Sequence, residues 1–546
     1  MDEGAFDVII IGTGLTESIT AAALSKAGLK IAHLDTNPYY GANEASLSLD
    51  EFIHWANQQT NSSEFRFSSP LSPSDVLPNG RQYSISLSPS VIPASGPLIS
   101  SLISSGVSRY GGFRLVEQVF VYHPAIPGKV KIVPGSKEDI FKDRSISLID
   151  KRRLMRFLAF ASGDFESQPE LEGKAETPFV DFLKTTFTLK QEIAETIAYA
   201  LGHCTLPSDH TAPALHRLQR YLRSAGQYGS SPFLIGHYGS SGEIAQGFCR
   251  SAAVAGSVYI LGKSITSITR NANLESNPVY TVALSDFPES LTCNLIISSK
   301  SCLPGVLSDS EVLRAQKVPS TFIEDPATIA RCVCITDEPL SLARWAEPLA
   351  LEGDEPQSSP PVLDTGILVF PPSSLRGGSA YSSVTALIVG EGTMSVPKGK
   401  WILYLSTPIP TSSAESVSPE SLLKPYLDAT LSFAVSSVTP VPLFTSFYLQ
   451  TPPSSPPSSE PYLDDRTPSI LLSPSPSLLP LADSGDAAAV NAEAVFWNAI
   501  KALTGRVGSG KTFKESPVHG DEAEVDTKIE IESFWPPCVN DDNDDE

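Results

Sequence analysis

The sequence predicts an α/β protein in which a dinucleotide-type sheet domain is interrupted by an all-helical second domain. Three features carry that expectation: a strand–turn–helix–strand opening, helical spacing after residue 146, and strand patterns that resume beyond residue 258. Phe6–Ile11 reads as a buried strand, Gly12–Gly14 as a tight turn and Thr16–Ala27 as a helix closed by Gly28. Lys30–Leu34 follows as a second strand and delivers Asp35. From Lys151 onward Leu154, Phe157, Leu158 and Ala161 share one helix face, and Ile193, Ile197 and Leu201 recur at the same helical spacing. Strand-like runs return at Val258–Ile260, Tyr280–Leu284, Asn294–Ile297, Cys332–Ile335, Gly366–Phe370, Thr385–Val389 and Trp401–Leu405. The expected layout is residues 1–145 and 231–450 as the sheet domain, with a Ser/Pro-rich insert at 57–97 that holds at most short strands, and the helical domain at 146–230. A Pro/Ser-rich linker at 451–490, a closing helix at 491–505 and a flexible acidic tail at 506–546 complete it.

A chain of 546 residues with 41% hydrophobic content can bury a sizeable core. Lys plus Arg number 39 against 61 Asp plus Glu, a formal charge of −22, which argues against nucleic acid or an anionic membrane as an electrostatically driven partner. From Asp521 to Glu546 eleven carboxylates face one lysine, Lys528, so that stretch reads as a solvated tail. The seven cysteines show neither a disulfide framework nor a zinc spacing, and the eight histidines show no metal spacing, so no metal is expected and a reducing cytosol fits. The opening Met-Asp-Glu-Gly carries no secretory pattern, no apolar run reaches the roughly 18 residues a membrane span needs, and the final Asp-Asp-Asn-Asp-Asp-Glu is not a prenylation box. Any meeting with lipid is expected to go through the fold.

Gly12-Thr-Gly14-Leu-Thr-Glu17 follows a strand and opens a helix, the setting of a dinucleotide fingerprint, but the third glycine is Glu17. A carboxylate in the first turn competes with a pyrophosphate for the helix N-terminus and complements the macrodipole by itself. The site reads as self-filled, no cofactor is expected, and Asp35 reads as a turn residue after its strand. Gly505-Arg-Val-Gly-Ser-Gly510-Lys511-Thr512 spells a P-loop, yet a helix precedes it and an acidic stretch containing Pro517 and Gly520 follows, so it reads as a flexible linker.

The opening Phe6–Glu17, together with Leu34-Asp-Thr-Asn-Pro-Tyr-Tyr-Gly41, resembles the Rab GDP-dissociation inhibitor and Rab escort protein family, in which a glutamate replaces the third glycine. Arg217–Tyr221, Tyr228–Leu234 and Tyr238-Gly-Ser-Ser-Gly-Glu243 through Arg250 follow in family order. A weaker block runs from Val107-Ser-Arg-Tyr110 through Val133 to Lys151–Leu158. The resemblance implies a FAD-oxidoreductase-like (GDI-like) domain that binds GDP-bound Rab GTPases and a helical domain that handles the geranylgeranyl lipid. It further implies a non-catalytic role beside the Rab geranylgeranyltransferase heterodimer, in the cytosol with transient membrane contact. Tyr40, Glu243 and Arg250 would meet the GTPase, and Arg109–Val116 would lie near the groove for its C-terminus.

Arg217, Arg220 and Arg223 fall where the family has a mobile effector loop. Ile193, Ile197 and Tyr199 are candidates for the prenyltransferase contact. Each has a plainer alternative: a packed turn aromatic for Tyr40, an exposed pair two turns apart for Glu243 and Arg250, and a solvated helix face for the arginines. Phe157, Phe160, Phe179, Phe182 and Phe187 could wall a lipid pocket or form an ordinary helical core. Thr36 stands where the inhibitors have Arg, and one extra residue lies between Tyr238-Gly and Glu243. Length, the Ser/Pro inserts, the acidic tail and Gly-Phe-Cys-Arg at 247–250 favour the escort branch over a recycling inhibitor. A flavin oxidoreductase and a P-loop NTPase remain as alternative classes.

Overall fold

The structure, a computed structural model, describes residues 4–59, 62–72, 77–123, 128–135, 137–143, 146–271, 279–307, 315–320, 328–342, 362–410, 417–436, 439–452, 469–474, 480–504, 531 and 533–535. Ala5–Ile11 lies between Ile31–Asp35 and Leu291–Ser299, parallel to both, and Val258–Leu261 extends the parallel set beyond Ile31–Asp35. Tyr280–Leu284 and Ile265–Arg270 add an antiparallel hairpin to one end of the Leu291–Ser299 edge. Ile470–Ser473 takes the other end of that edge and carries Gln316–Lys317 beside it. The first strand is buried on both sides, as parallel sheets require. Its Val8 and Ile10 face a helical layer, while Ile9 and Ile11 face a separate core on the opposite side.

That helical layer comprises Leu15–Lys26, Pro97–Ser105, Ser241–Val254 and Ser484–Thr504. Pro97 at the first helical position presets φ, and Gly106 at φ 79° ends that helix in a conformation glycine adopts without strain. The Ala-rich faces of Leu15–Lys26 and Ser484–Thr504 let the two backbones approach over the sheet.

A second eight-stranded sheet runs 65–67, 444–450, 328–336, 401–409, 384–389, 365–370, 118–122 and 130–132 in spatial order. All its pairings are antiparallel except that of Thr365–Phe370 with Gln118–Tyr122. Helices Leu148–Ser162, Phe179–Thr186 and Thr211–Ser224, with Gln191–Glu195 running into a π-helical turn Thr196–Leu201, follow one another in the chain. They share one core with a face of this sheet. Ser147 starts the first of them by accepting from the Asp150 amide.

Three expectations need correction. The 57–97 stretch is woven into the molecule: Phe65–Phe67 forms an edge strand of the second sheet, and Tyr83, Ile85, Leu87 and Val91 enter its core. Pro and Ser mask short buried runs there, because a two- or three-residue strand leaves no periodicity to read. For the same reason the 451–490 segment hides the strand Ile470–Ser473, and the closing helix starts at Ser484, before the expected 491. Within the 506–546 tail, Phe534 is buried and Trp535 half-buried against the helical layer. The P-loop spelling at Gly505–Thr512 lies outside the described residues.

Candidate functional site

At the fingerprint the chain fills its own anion site. Gly41, at φ 100°, turns the backbone so that its amide donates to Thr13 and Glu44 reaches the N-terminus of Leu15–Lys26. There Glu44 Oε2 accepts from the Leu15 amide at 2.6 Å. Glu17 accepts from Ser473 Oγ at 2.5 Å. Burial pushes both carboxyls up to about 7. Asp35 is more than a turn residue: it is buried and accepts from the Thr13 amide at 2.8 Å, the Thr13 hydroxyl at 2.6 Å and the Asn37 amide at 2.8 Å. Burial raises its pKa as well.

The helix N-terminus is met by Glu44, with Glu17 beside it, where the sequence predicts Glu17 by itself to fill the site. The groups that would receive a dinucleotide pyrophosphate and ribose are engaged by the chain's own side chains, so these residues do not fit FAD. Glu44 carries no motif, and only the Gly41 turn brings it there.

A second place gathers polar groups at an open groove of about 100 Å³ on the helical layer. Its walls come from the helix Ser241–Val254, through Glu243, Gly247 and Arg250, and from the turn after Pro97–Ser105, through Val107 and Tyr110. The Arg250 guanidinium sits over the Tyr110 ring at 4.9 Å, a cation–π arrangement that holds the cation at the surface. Glu243 is half-buried, and burial raises its pKa. Arg109 is exposed in the adjoining turn Val107–Arg109.

The helix enters through a sharp turn with Tyr238, Gly239 and Ser240 all at positive φ (52°, 87° and 65°). A Cβ on Gly242 would meet the Ser46 amide nitrogen at 2.3 Å, so only glycine permits this approach. Glu243, Arg250 and Arg109 are thus brought to one surface. Tyr40 is not a wall of this groove; it packs edge-on against Tyr259 with ring centroids 5.9 Å apart.

The three arginines lie on the helix Thr211–Ser224, not in a loop. Arg217 donates to the Gly202 carbonyl and sits 3.9 Å from Asp483. Arg220 pairs with Asp483 and, at 3.0 Å, with Asp486. Both are therefore internal fasteners of the closing helix, and the solvated-face alternative holds for Arg223 alone. Burial pushes the Asp486 carboxyl up to about 6.

Ile197 and Tyr199 are buried in the helical core and Ile193 is only half-exposed, so the first two offer no surface to a transferase. Phe141, Leu148 and Ile149, which the sequence analysis did not single out, are 60%, 84% and 66% exposed at and before the start of Leu148–Ser162, with Arg152 exposed one turn on. The clue was apolar residues off the buried stripe that begins at Leu154. Phe157, Phe179, Phe182 and Phe187 are buried against one another and Phe160 is packed against them, a core arrangement.

A family model described as GDI, GDP dissociation inhibitor, matches residues 1–348. The chain belongs to that family. The Rab proteins geranylgeranyltransferase component A of Saccharomyces cerevisiae is 32% identical over 408 residues, which cover 73% of this chain and 61% of the yeast protein. Rab escort protein 1 of Arabidopsis thaliana is 28% identical over 463 residues, covering 74% of this chain and 77% of that protein. The chain thus spans less than two thirds of the yeast relative's length. Among solved structures, a Rab GDI from Plasmodium falciparum matches with TM-score 0.61 over 90% of this chain and 98% of its own, at 22% identity. An oxidoreductase from Methanosarcina mazei matches with TM-score 0.55 over 90% and 100%, at 14% identity. Both show the fold, in which the N-terminus of the helix Leu15–Lys26 is met here by the chain's own Glu44.

Proposed function

We propose that this protein is a Rab escort protein: it binds GDP-bound Rab GTPase, presents it to Rab geranylgeranyltransferase, shields the attached lipid and delivers the product to membranes. The observation that carries this reading is the groove that gathers Arg250 and Glu243, with Arg109 exposed in the adjoining turn, on a family member whose relatives bear escort names. An exposed guanidinium braced on Tyr110 beside a half-buried carboxylate suits polar recognition of a protein surface. The transfer chemistry belongs to the partner. Shielding is needed because each lipid methylene left in water costs about 0.8 kcal/mol, and the helices between Leu148 and Ser224 are the segment to which the family resemblance assigns that task.

The transferase contact is better placed on the exposed Phe141, Leu148 and Ile149 than on the buried Ile197 and Tyr199, since apolar groups in a partner interface must be free to be desolvated. The deciding experiment follows labelled geranylgeranyl into an unmodified Rab with purified transferase. Incorporation should require this protein and fall with Arg250→Ala. No stimulation, with extraction of prenylated Rab from membranes retained, would instead make the protein a recycling inhibitor.

A further inference from the structure

The groove is braced from behind by a segment that composition marks as a solvated tail. Phe534 is 9% exposed and packs edge-on against Phe496 of the closing helix, with ring centroids 5.3 Å apart. Trp535 stacks on Phe248 at 6.0 Å and 22°, and Lys26 Nζ lies 5.8 Å from its ring centre. These neighbours are the supports of the groove. Phe248 is on the helix that carries Glu243 and Arg250, and it shares a core with Leu102 and Val107 of the opposite wall. Lys26 Nζ also donates to the Ser105 carbonyl, at the end of the helix whose next turn bears Arg109 and Tyr110. Trp535 therefore meets the helix that bears Arg250 directly, and reaches the wall that bears Tyr110 through Lys26.

We propose that Phe534 and Trp535 are positioning residues, a tethered clasp that holds the two walls of the GTPase-binding groove at their working distance; this rests on the escort reading above. The clasp is built to be released. The Trp535 indole N–H is buried without an acceptor among the described residues, which subtracts from the gain of burying the ring. Residues 505–530 tether it to the closing helix at a high effective concentration, so it closes without depending on protein concentration. Release leaves the groove competent for only part of the time, and affinity falls by that fraction.

The test compares the full chain with a version ending at Thr504, with Trp535→Ala and with Trp535→Phe. Three quantities are read: dissociation constant for a GDP-bound Rab, melting temperature, and hydrogen exchange across residues 97–113 and 241–254. Truncation and Trp535→Ala should weaken Rab binding about 3- to 10-fold and speed exchange in both segments. Trp535→Phe, which keeps an aromatic ring on Phe248, should stay near the parent. A synthetic peptide of residues 528–540 added to the truncated chain should restore slow exchange and affinity, which a loss of general stability would not allow. Unchanged exchange and unchanged affinity on truncation would overturn the clasp, as would a peptide without effect. If the full chain binds no Rab at all, the escort reading fails, while the exchange measurement still decides whether the segment braces the groove.

Discussion

At the scale of single residues, Glu17 and Glu44 illustrate how a recognition motif becomes a structural one. Both carboxyls are buried with folded pKa values of about 7 against an ordinary 4.5, so between those pH values the folded state binds more protons than the unfolded chain. Their contribution is therefore most favourable below about pH 4.5 and is lost as pH rises through 7, the reverse of the usual salt-bridged carboxylate. Glu17→Gln should raise the urea midpoint at pH 8, by roughly 1–3 kcal/mol in stability, and change little at pH 5. A pH series of urea melts checks this, and an equal gain at both pH values would contradict it.

Arg220 offers a second residue-scale test. Removing it leaves Asp486 buried without its cation, and breaking such a pair costs about 3–5 kcal/mol. Arg220→Met should lower the denaturation midpoint accordingly, while exposed Arg223→Met should shift it by less than about 0.5 kcal/mol.

At the scale of elements, the helix Leu148–Ser162 divides its faces between core and solvent. Leu154, Phe157, Leu158 and Ala161 are buried, whereas Leu148 and Ile149 project from its first turn beside Phe141. Exposed apolar groups beside a charged helix face are what the proposed transferase contact requires. Replacing Phe141 and Ile149 together with Ser should reduce transferase-dependent prenylation by about tenfold or more while leaving Rab binding intact, as separate prenylation and Rab-binding titrations would show. Loss of both activities would point to misfolding instead. The inward face predicts differently: Phe157→Ala should cost about 3–5 kcal/mol, because the neighbouring rings cannot collapse into the space.

At the scale of the whole molecule, the closing helix Ser484–Thr504 ties distant parts of the chain together. Its first turn pairs Asp486 with Arg220 and accepts from the Leu98 amide. Its middle, through Val495 and Phe496, completes the helical layer over the parallel sheet and receives Phe534. Phe496→Ala should therefore destabilise the protein by about 3–5 kcal/mol. It should also speed hydrogen exchange in the Ser241–Val254 helix beyond what Phe534→Ala produces. Equal exchange in the two variants would show that Phe496 acts only through the clasp.

What was legible in the sequence is what local chemistry dictates. The βαβ opening, the helical run after residue 151 and the long strands of the second sheet each carry a period that a continuous buried face imposes, and each forms close to where that period places it. Glu17 at the third fingerprint position is equally local, and its conflict with a pyrophosphate could be read without coordinates. Partnership across the fold was not legible. Glu44 reaches a helix 29 residues upstream only through the Gly41 turn, Asp483 and Asp486 claim Arg217 and Arg220 from far along the chain, and Ile197 and Tyr199 share a helical pattern whether they face solvent or core. Phe534 and Trp535 read as part of an acidic tail because charge dominates their neighbourhood, yet two rings suffice to dock when a complementary surface lies within reach. Periodicity states which face of an element is apolar; only the tertiary structure decides what meets it, because burial and ion pairing depend on distances that sequence separation does not encode.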